Sequence, residues 1–253
     1  MTLRGLIFDV DGTLADTEEA HRQAFNGAFG RHELSWAWSR SLYAQLLRVT
    51  GGKERIAHYV DSLDLEEARK DALRTRIGAI HRTKTELYAR HVAAGRLPLR
   101  PGVARLLEEA RTAGLKLAIA TTTTPANVLA LLEGTLGADA PDWFEAIIAG
   151  DMVPDKKPAP DAYLEALHRL GVPPEQCVAF EDSHNGLRSA LAAGLRTVVT
   201  PSDWTRNEDF TGAARIMPSL EGDASIAPVT LASLQALLAD APALSAGTAR
   251  GGG

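Results

Sequence analysis

The sequence predicts an α/β fold, a doubly wound parallel sheet with a block of helices inserted into it. Three observations lead there. Short apolar runs of β-forming residues recur along the chain, each followed by a helical pattern. A glycine stands at the joint between several of these helices and the next strand, where a left-handed C-terminal residue is needed. A long section, about 17 to 90, holds no convincing strand at all.

Taken in order, GLIFDV (5–10) is the first strand. HRQAFNGAFGRH, LYAQLLRV, KERIAHYVDSL, EEARKDALRTRIGAI and HRTKTELYARHV then place apolar residues at helical spacing. LPLRPG (97–102), with two prolines, marks the return crossing. Alternation resumes with the helix VARLLEEARTA, Gly114 and the strand LKLAIA, followed by the apolar run EAIIA. AYLEALHRL, Gly171 and CVAF follow, then LRSALAA, Gly194 and LRTVVT. VTLASLQALLADAPALSA (229–246) reads as a last amphipathic helix. The expected organisation is therefore an α/β core over 1–16 and 92–246, a helical domain over 17–91 and a disordered tail over 247–253. Trp36, Trp38 and Tyr43 fall at helical spacing and are expected to fill the helical domain's core.

With 253 residues the chain is long enough for one large domain carrying an insertion, at roughly 100–200 residues per domain. A formal charge of −5 leaves no basic footprint, which argues against nucleic acid as a partner. A local cation cluster can still receive an anionic substrate. No stretch is apolar enough to span a membrane, and the N-terminus runs straight into a strand without a signal peptide. The expected location is the cytoplasm, or an organelle stroma if a transit peptide has been removed, and the expected state is a monomer. The single cysteine, Cys177, lies in an apolar run and reads as a small core residue.

Ligands of open parallel sheets bind beyond the carboxyl ends of the strands. The first strand ends in Asp9 and Asp11, LKLAIA in a row of threonines from Thr121, and CVAF in Glu181 and Asp182, while Lys156 and Lys157 follow EAIIAGD. One edge thus gathers four carboxylates, hydroxyls and a lysine. Like charges in a buried setting repel, so either the Asp9–Asp11 pair is a solvated turn, for which Asp11-Gly12 is a common pair, or a cation sits between the carboxylates. Asp9 and Asp182 offer hard oxygen ligands suited to Mg²⁺. Thr121 and Lys157 suit phosphate oxygens. One carboxylate acting as nucleophile and a second as general acid, then base, is a coherent chemistry for such a pair.

DVDGT, the hydroxyl after LKLAIA, the lysine of KKPAPD and the acidic pair of FEDS resemble, in order, the four motifs of the haloacid dehalogenase superfamily. That resemblance implies a Rossmann-like core with a helical cap, Asp9 as nucleophile and Asp11 as acid/base. It implies Mg²⁺ held by Asp9, the Asp11 backbone carbonyl and Asp182, with Glu181 nearby or water-linked. Thr121 and Lys157, the lysine directly before Pro158, would bind the transferring phosphoryl group. Members that cleave carbon–halogen or carbon–phosphorus bonds lack a carboxylate at the Asp11 position, so phosphoester chemistry is expected.

TEEAH, TGGKERIA, HRTKTE, ATTTTPANV and EDSHNGLRSA are similar to the CbbY-type sugar phosphatases. The substrate implied is a small phosphorylated sugar, xylulose 1,5-bisphosphate, an inhibitor of Rubisco, released as xylulose 5-phosphate. Substrate contacts implied are Glu18, His21, the loop Gly51, Gly52, Lys53 and Arg55, then Lys84, Thr122, Thr123 and Asn127. A glycine pair and cations at a helix start suit an anion. His81 is expected at the surface. The alternative is a β-phosphoglucomutase, which shares Thr17, His21 and Lys84, or another small sugar- or polyol-phosphate phosphatase.

Overall fold

A computed structural model describes residues 2–94 and 97–239. Strand β1 (Gly5–Phe8) lies at the centre of a six-stranded parallel sheet, flanked by β2 (Lys116–Thr121) and β4 (Cys177–Glu181). β3 (Ala146–Ala149) adds outside β2, and β5 (Arg196–Val199) and β6 (Arg215–Ile216) outside β4. The order β3-β2-β1-β4-β5-β6 reverses direction between β1 and β4. That reversal opens the crevice in which such sheets bind ligands. β1 is buried throughout, as a central strand covered on both faces must be.

Alternate residues of the strands face two separate cores. Leu6, Phe8, Val178 and Phe180 pack under α6 (Val103–Thr112), α7 (Pro125–Leu136) and α10 (Leu231–Ala239). Ile7, Ala118, Ala120 and Ala179 face α8 (Asp161–Leu170) and α9 (His184–Ala192). The period-two alternation of a strand therefore becomes a doubly wound layer structure. Gly114, Gly171 and Gly194 all take positive φ after their helices, as their positions in the sequence predict.

Between β1 and α6 run α1 (Glu18–Arg31), α2 (Arg40–Leu46), α3 (Gly52–Asp61), α4 (Glu67–Arg74) and α5 (Ile77–Ala93). Phe25, Phe29, Trp38, Tyr43, Ile56 and Ile80 give them a core of their own. α1 packs along α5, and α5 reaches α7 of the sheet layer.

The structure differs from expectation at two places. The helical pattern EEARKDALRTRIGAI is cut after Arg74, and its last residues open α5 instead. There Thr75 turns its hydroxyl back onto the Ala72 carbonyl while Arg74 is spent on Asp61, Glu67 and Asp71. The edge strand β6 has two residues, too few to leave a periodic signal. The tail expected over 247–253 lies outside the described residues, as do positions 240–246 of the last expected helix. Among the described residues no helix is long and apolar enough to cross a membrane.

Candidate active site

Asp9 follows β1 directly and is fixed by its backbone N–H, which donates to the Phe180 carbonyl (3.0 Å). Lys157 donates to Asp9 Oδ1 (2.7 Å) and to Glu181 Oε1 (2.5 Å). Tyr163 adds a phenol hydrogen bond to the same Glu181 oxygen (2.7 Å), and Thr205 donates to Asp182 Oδ2 (3.1 Å). Oxygens of Asp9, Glu181 and Asp182 all lie within 4.8 Å of one another, and all three residues are buried. Burial, with Glu181 and Asp11 adding to it and Lys157 opposing, pushes the Asp9 carboxyl up to about 8. Burial, then Asp9 and Glu181, push Asp182 well above the usual range.

Three buried carboxylates against one ammonium leave negative charge in excess. A hard divalent cation is the group that relieves it, and the all-oxygen donor set fits one. The surroundings are built to that size. A Cβ at Gly12 would run into the Asp182 carboxylate, and one at Gly186 into that of Glu181. Gly12 also holds φ at +83°, which glycine adopts without strain.

Asp11, two residues beyond Asp9, has a different environment. Its Oδ1 accepts from the Thr17 hydroxyl (2.6 Å) and meets His21 Nε2 at 2.9 Å. Lys84 Nζ lies 2.8 Å from His21 Nδ1. An ammonium can only donate, so Nδ1 is the acceptor, the ring is the Nε2–H tautomer and that proton points at Asp11. His21 is stacked on Tyr88 at 4.0 Å, which fixes the ring plane. Burial alone would raise Asp11, but His21 and Thr17 together hold it well below the usual carboxylate range. Burial pushes the Lys84 ammonium down to about 8, with Asp11 pulling the other way.

These groups face a cleft of about 440 Å³ between the sheet edge and the helical block. Asp9, Asp11, Thr121, Lys157 and Asp182 line it from the sheet layer, Glu18, His21, Gly51, Gly52, Arg55 and Lys84 from the helical block, and Thr122 and Thr123 from the loop after β2. Glu181 lies beneath this surface with no exposure and holds Lys157. Asn127 is buried too and donates to Thr123 Oγ1 (3.0 Å). Lys53 does not line the cleft; it pairs with Asp151 (2.5 Å) on the rim. His81 corrects the expectation of a surface residue. It is buried, lines the cleft and lies against Gly52, because α5 carries it three residues before Lys84 on the same face. Burial, then Lys84, Lys53 and Lys156, push it down to about 3, so it is neutral there.

Three groups escaped sequence reasoning. Thr205 sits in the turn after β5, and a hydroxyl there was a readable signal at the sheet's carboxyl edge. Tyr163 lies in the first turn of α8 with no such signal. Arg100, on the return crossing, is buried and donates to the carbonyls of Gly12, Thr200 (2.5 Å), Pro201 (2.9 Å) and Pro218 (3.1 Å). It ties the turn after Asp11 to the loops beyond β5 and β6.

Residues 3–194 match the haloacid dehalogenase-like hydrolase family. The CbbY protein of Cupriavidus necator is 52% identical over 244 residues, 96% of this chain and 96% of the relative. The crystal structure of CbbY from Rhodobacter sphaeroides with phosphate superposes with a TM-score of 0.80 at 49% identity, covering 86% of this chain and 95% of that one. A mutant of the same protein, solved with xylulose-(1,5)bisphosphate, gives 0.80 at 48% identity over the same shares. The chain belongs to the haloacid dehalogenase-like hydrolases, and within them to the CbbY-type phosphatases.

Proposed function

We propose that this protein is a Mg²⁺-dependent phosphatase of a sugar bisphosphate, xylulose 1,5-bisphosphate, which it converts to xylulose 5-phosphate. One observation carries the reading: a single cleft is lined by cations from both layers of the protein. Lys157, beside Thr121, comes from the sheet layer, and Arg55 and Lys84, beside the glycine start of α3, come from the helical block. The bisphosphate complex of the R. sphaeroides relative supports the same substrate. All these groups come from one chain, so a monomer suffices. Residues 17–91 then serve as the cap that covers the substrate.

In this mechanism a carboxylate oxygen of Asp9 attacks phosphorus, and the bond to the sugar oxygen breaks with its electron pair. The leaving oxygen takes its proton from Asp11, which enters this step as the carboxylic acid and is left as the carboxylate. Water next attacks the aspartyl-phosphate, giving its proton to Asp11, and phosphate leaves with Asp9 regenerated. The strong hydrogen bonds to Asp11 favour its carboxylate, the form the second step needs. Lys157 neutralises charge on the transferring phosphoryl oxygens. Asp9, Asp182 and the Asp11 carbonyl would hold the Mg²⁺, with Glu181 behind them; the ion supplies charge neutralisation between phosphate and carboxylates.

The test is phosphate release and product identity on xylulose 1,5-bisphosphate beside β-glucose 1-phosphate. Preferential release from the bisphosphate, lost in Asp9→Asn and lost with chelator until Mg²⁺ is restored, is expected. Conversion of β-glucose 1-phosphate to glucose 6-phosphate with little free phosphate would overturn the reading and make the protein a mutase.

A further inference from the structure

Tyr43 has no exposed surface and sits among Phe25, Trp38 and Trp204. Packing alone would be served by phenylalanine, yet its hydroxyl is fully used. It donates to Glu18 Oε2 (2.7 Å) and accepts from Arg55 Nη1 (3.1 Å). A guanidinium has no acceptor and a phenol has one proton, so the polarity is fixed: Arg55 to Tyr43 to Glu18. Arg55 is held further by the Leu46 carbonyl (3.2 Å) and by the Tyr43 ring, 5.2 Å from its carbon. Glu18 opens α1, Tyr43 lies in α2 and Arg55 in α3, so one hydroxyl joins three helices. Both ends of the chain face the cleft. Burial, reinforced by Glu18, raises the phenol well above its ordinary value, so it remains a donor across the working range.

We propose that Tyr43 is a positioning residue for substrate selection, setting Glu18 toward the sugar hydroxyls and Arg55 toward the far phosphate as one unit. The two ligand groups rest on the function proposed above; the coupling itself does not. A hydrogen-bond chain ending on two charged groups is stiffer than its separate links, so binding at either end depends on the same phenol.

The experiment is a set of double-mutant cycles on Tyr43→Phe, Glu18→Gln and Arg55→Ala, with kcat and KM measured on a sugar bisphosphate, a sugar monophosphate and p-nitrophenyl phosphate. Tyr43→Phe is expected to raise KM for the bisphosphate about ten- to fiftyfold, in the range of losing a hydrogen bond to a charged group, with kcat changed less than about threefold. The loss on p-nitrophenyl phosphate, which has neither a sugar hydroxyl nor a second phosphate, should be at least about fivefold smaller. In an Arg55→Ala or Glu18→Gln background, the added loss should fall below about threefold. Full additivity, or an equal loss on all three substrates, would overturn the proposal. If the wild type shows no preference for the bisphosphate, the substrate reading fails, and the cycle with Glu18→Gln on the monophosphate still decides the coupling. If Tyr43→Phe does not fold, the cycle between Glu18→Gln and Arg55→Ala, with Tyr43 intact, decides it: non-additivity supports the bridge and additivity removes it.

Discussion

Lys84→Met should make the protein more stable and far less active. The ammonium is 4% exposed, and burial pushes it from its ordinary 10.5 down to about 8. At about 1.4 kcal/mol per tenfold, keeping the charge at pH 7 costs the fold about 3 kcal/mol. Methionine fills similar volume without that cost. It also removes the donor to His21 Nδ1, a loss of about 1–2 kcal/mol. The balance is a gain of about 1–2 kcal/mol, or about 2–8 °C in Tm for a chain of this size. The pH dependence has a definite sign. The unfolded chain holds a proton at Lys84 up to about pH 10.5 and the folded chain only up to about 8, so wild-type stability rises with pH across that window. The advantage of the variant must shrink there. Activity moves oppositely, because Lys84 lines the cleft and its ammonium, donating to Nδ1, holds the His21 ring against Asp11. A loss of about 10²-fold in kcat is expected, the lower end of general acid–base catalysis. Calorimetry at pH 7 and pH 10, with phosphate-release assays, provides the check. A Tm lowered by several degrees at pH 7, or turnover within threefold of wild type, would refute the reasoning.

Arg100→Leu should cost about 3–5 kcal/mol, because it strips a buried cation from the Gly12, Thr200, Pro201 and Pro218 carbonyls; urea denaturation gives the value, and a loss under about 1 kcal/mol would contradict it. Arg55→Ala should raise KM for the bisphosphate more than about tenfold. Lys53→Ala, which removes an exposed pair with Asp151, should change it less than about threefold; steady-state kinetics compares them. Cys177 is buried, and burial pushes its thiol up to about 12. It should resist a thiol reagent at pH 8 in the native protein and react fully in denaturant, as mass spectrometry would record.

The sheet and the residues on its edge were legible because their causes are local. Each strand is a short apolar run, and the polar residues ending β1, β2 and β4 stand at the point where a parallel sheet presents its ligand groups. The two lysines could be told apart only by their place before Pro158, and the structure gives the physical difference: Lys157 is buried on Asp9 and Glu181, while Lys156 bridges Glu54 and Asp151. What escaped depends on packing between distant segments. His81 looks like one more charged residue of an exposed helix until α5 is rotated against α3. Tyr43 reads as core, which it is, and its hydroxyl carries no sequence signal of the partners 25 positions before and 12 after it. Arg100 joins carbonyls about 100 residues away, a partnership that only the closed fold creates.

The ion pairs divide by burial in a way that bears on how the cleft is held together. Lys157–Glu181 is 4% and 0% exposed, and removing either partner would strand the other in the interior. The rim pairs between helical block and sheet are of another kind. Lys53–Asp151 is 45% and 59% exposed, and Lys156–Glu54 is 15% and 43%. Pairs so open to water contribute little each, as does the neighbouring Asn185–Thr50 hydrogen bond (3.0 Å). The charges that set the chemistry are therefore anchored within the sheet layer, while the contacts across the rim are individually weak. Trp204 spans the two, edge-on to Tyr43 at 5.5 Å and under Arg40 at 4.4 Å, and the next residue, Thr205, donates to Asp182. Parting the rim would cost little in ion pairs, but it would pull on a loop that touches both Tyr43 and the carboxylate edge.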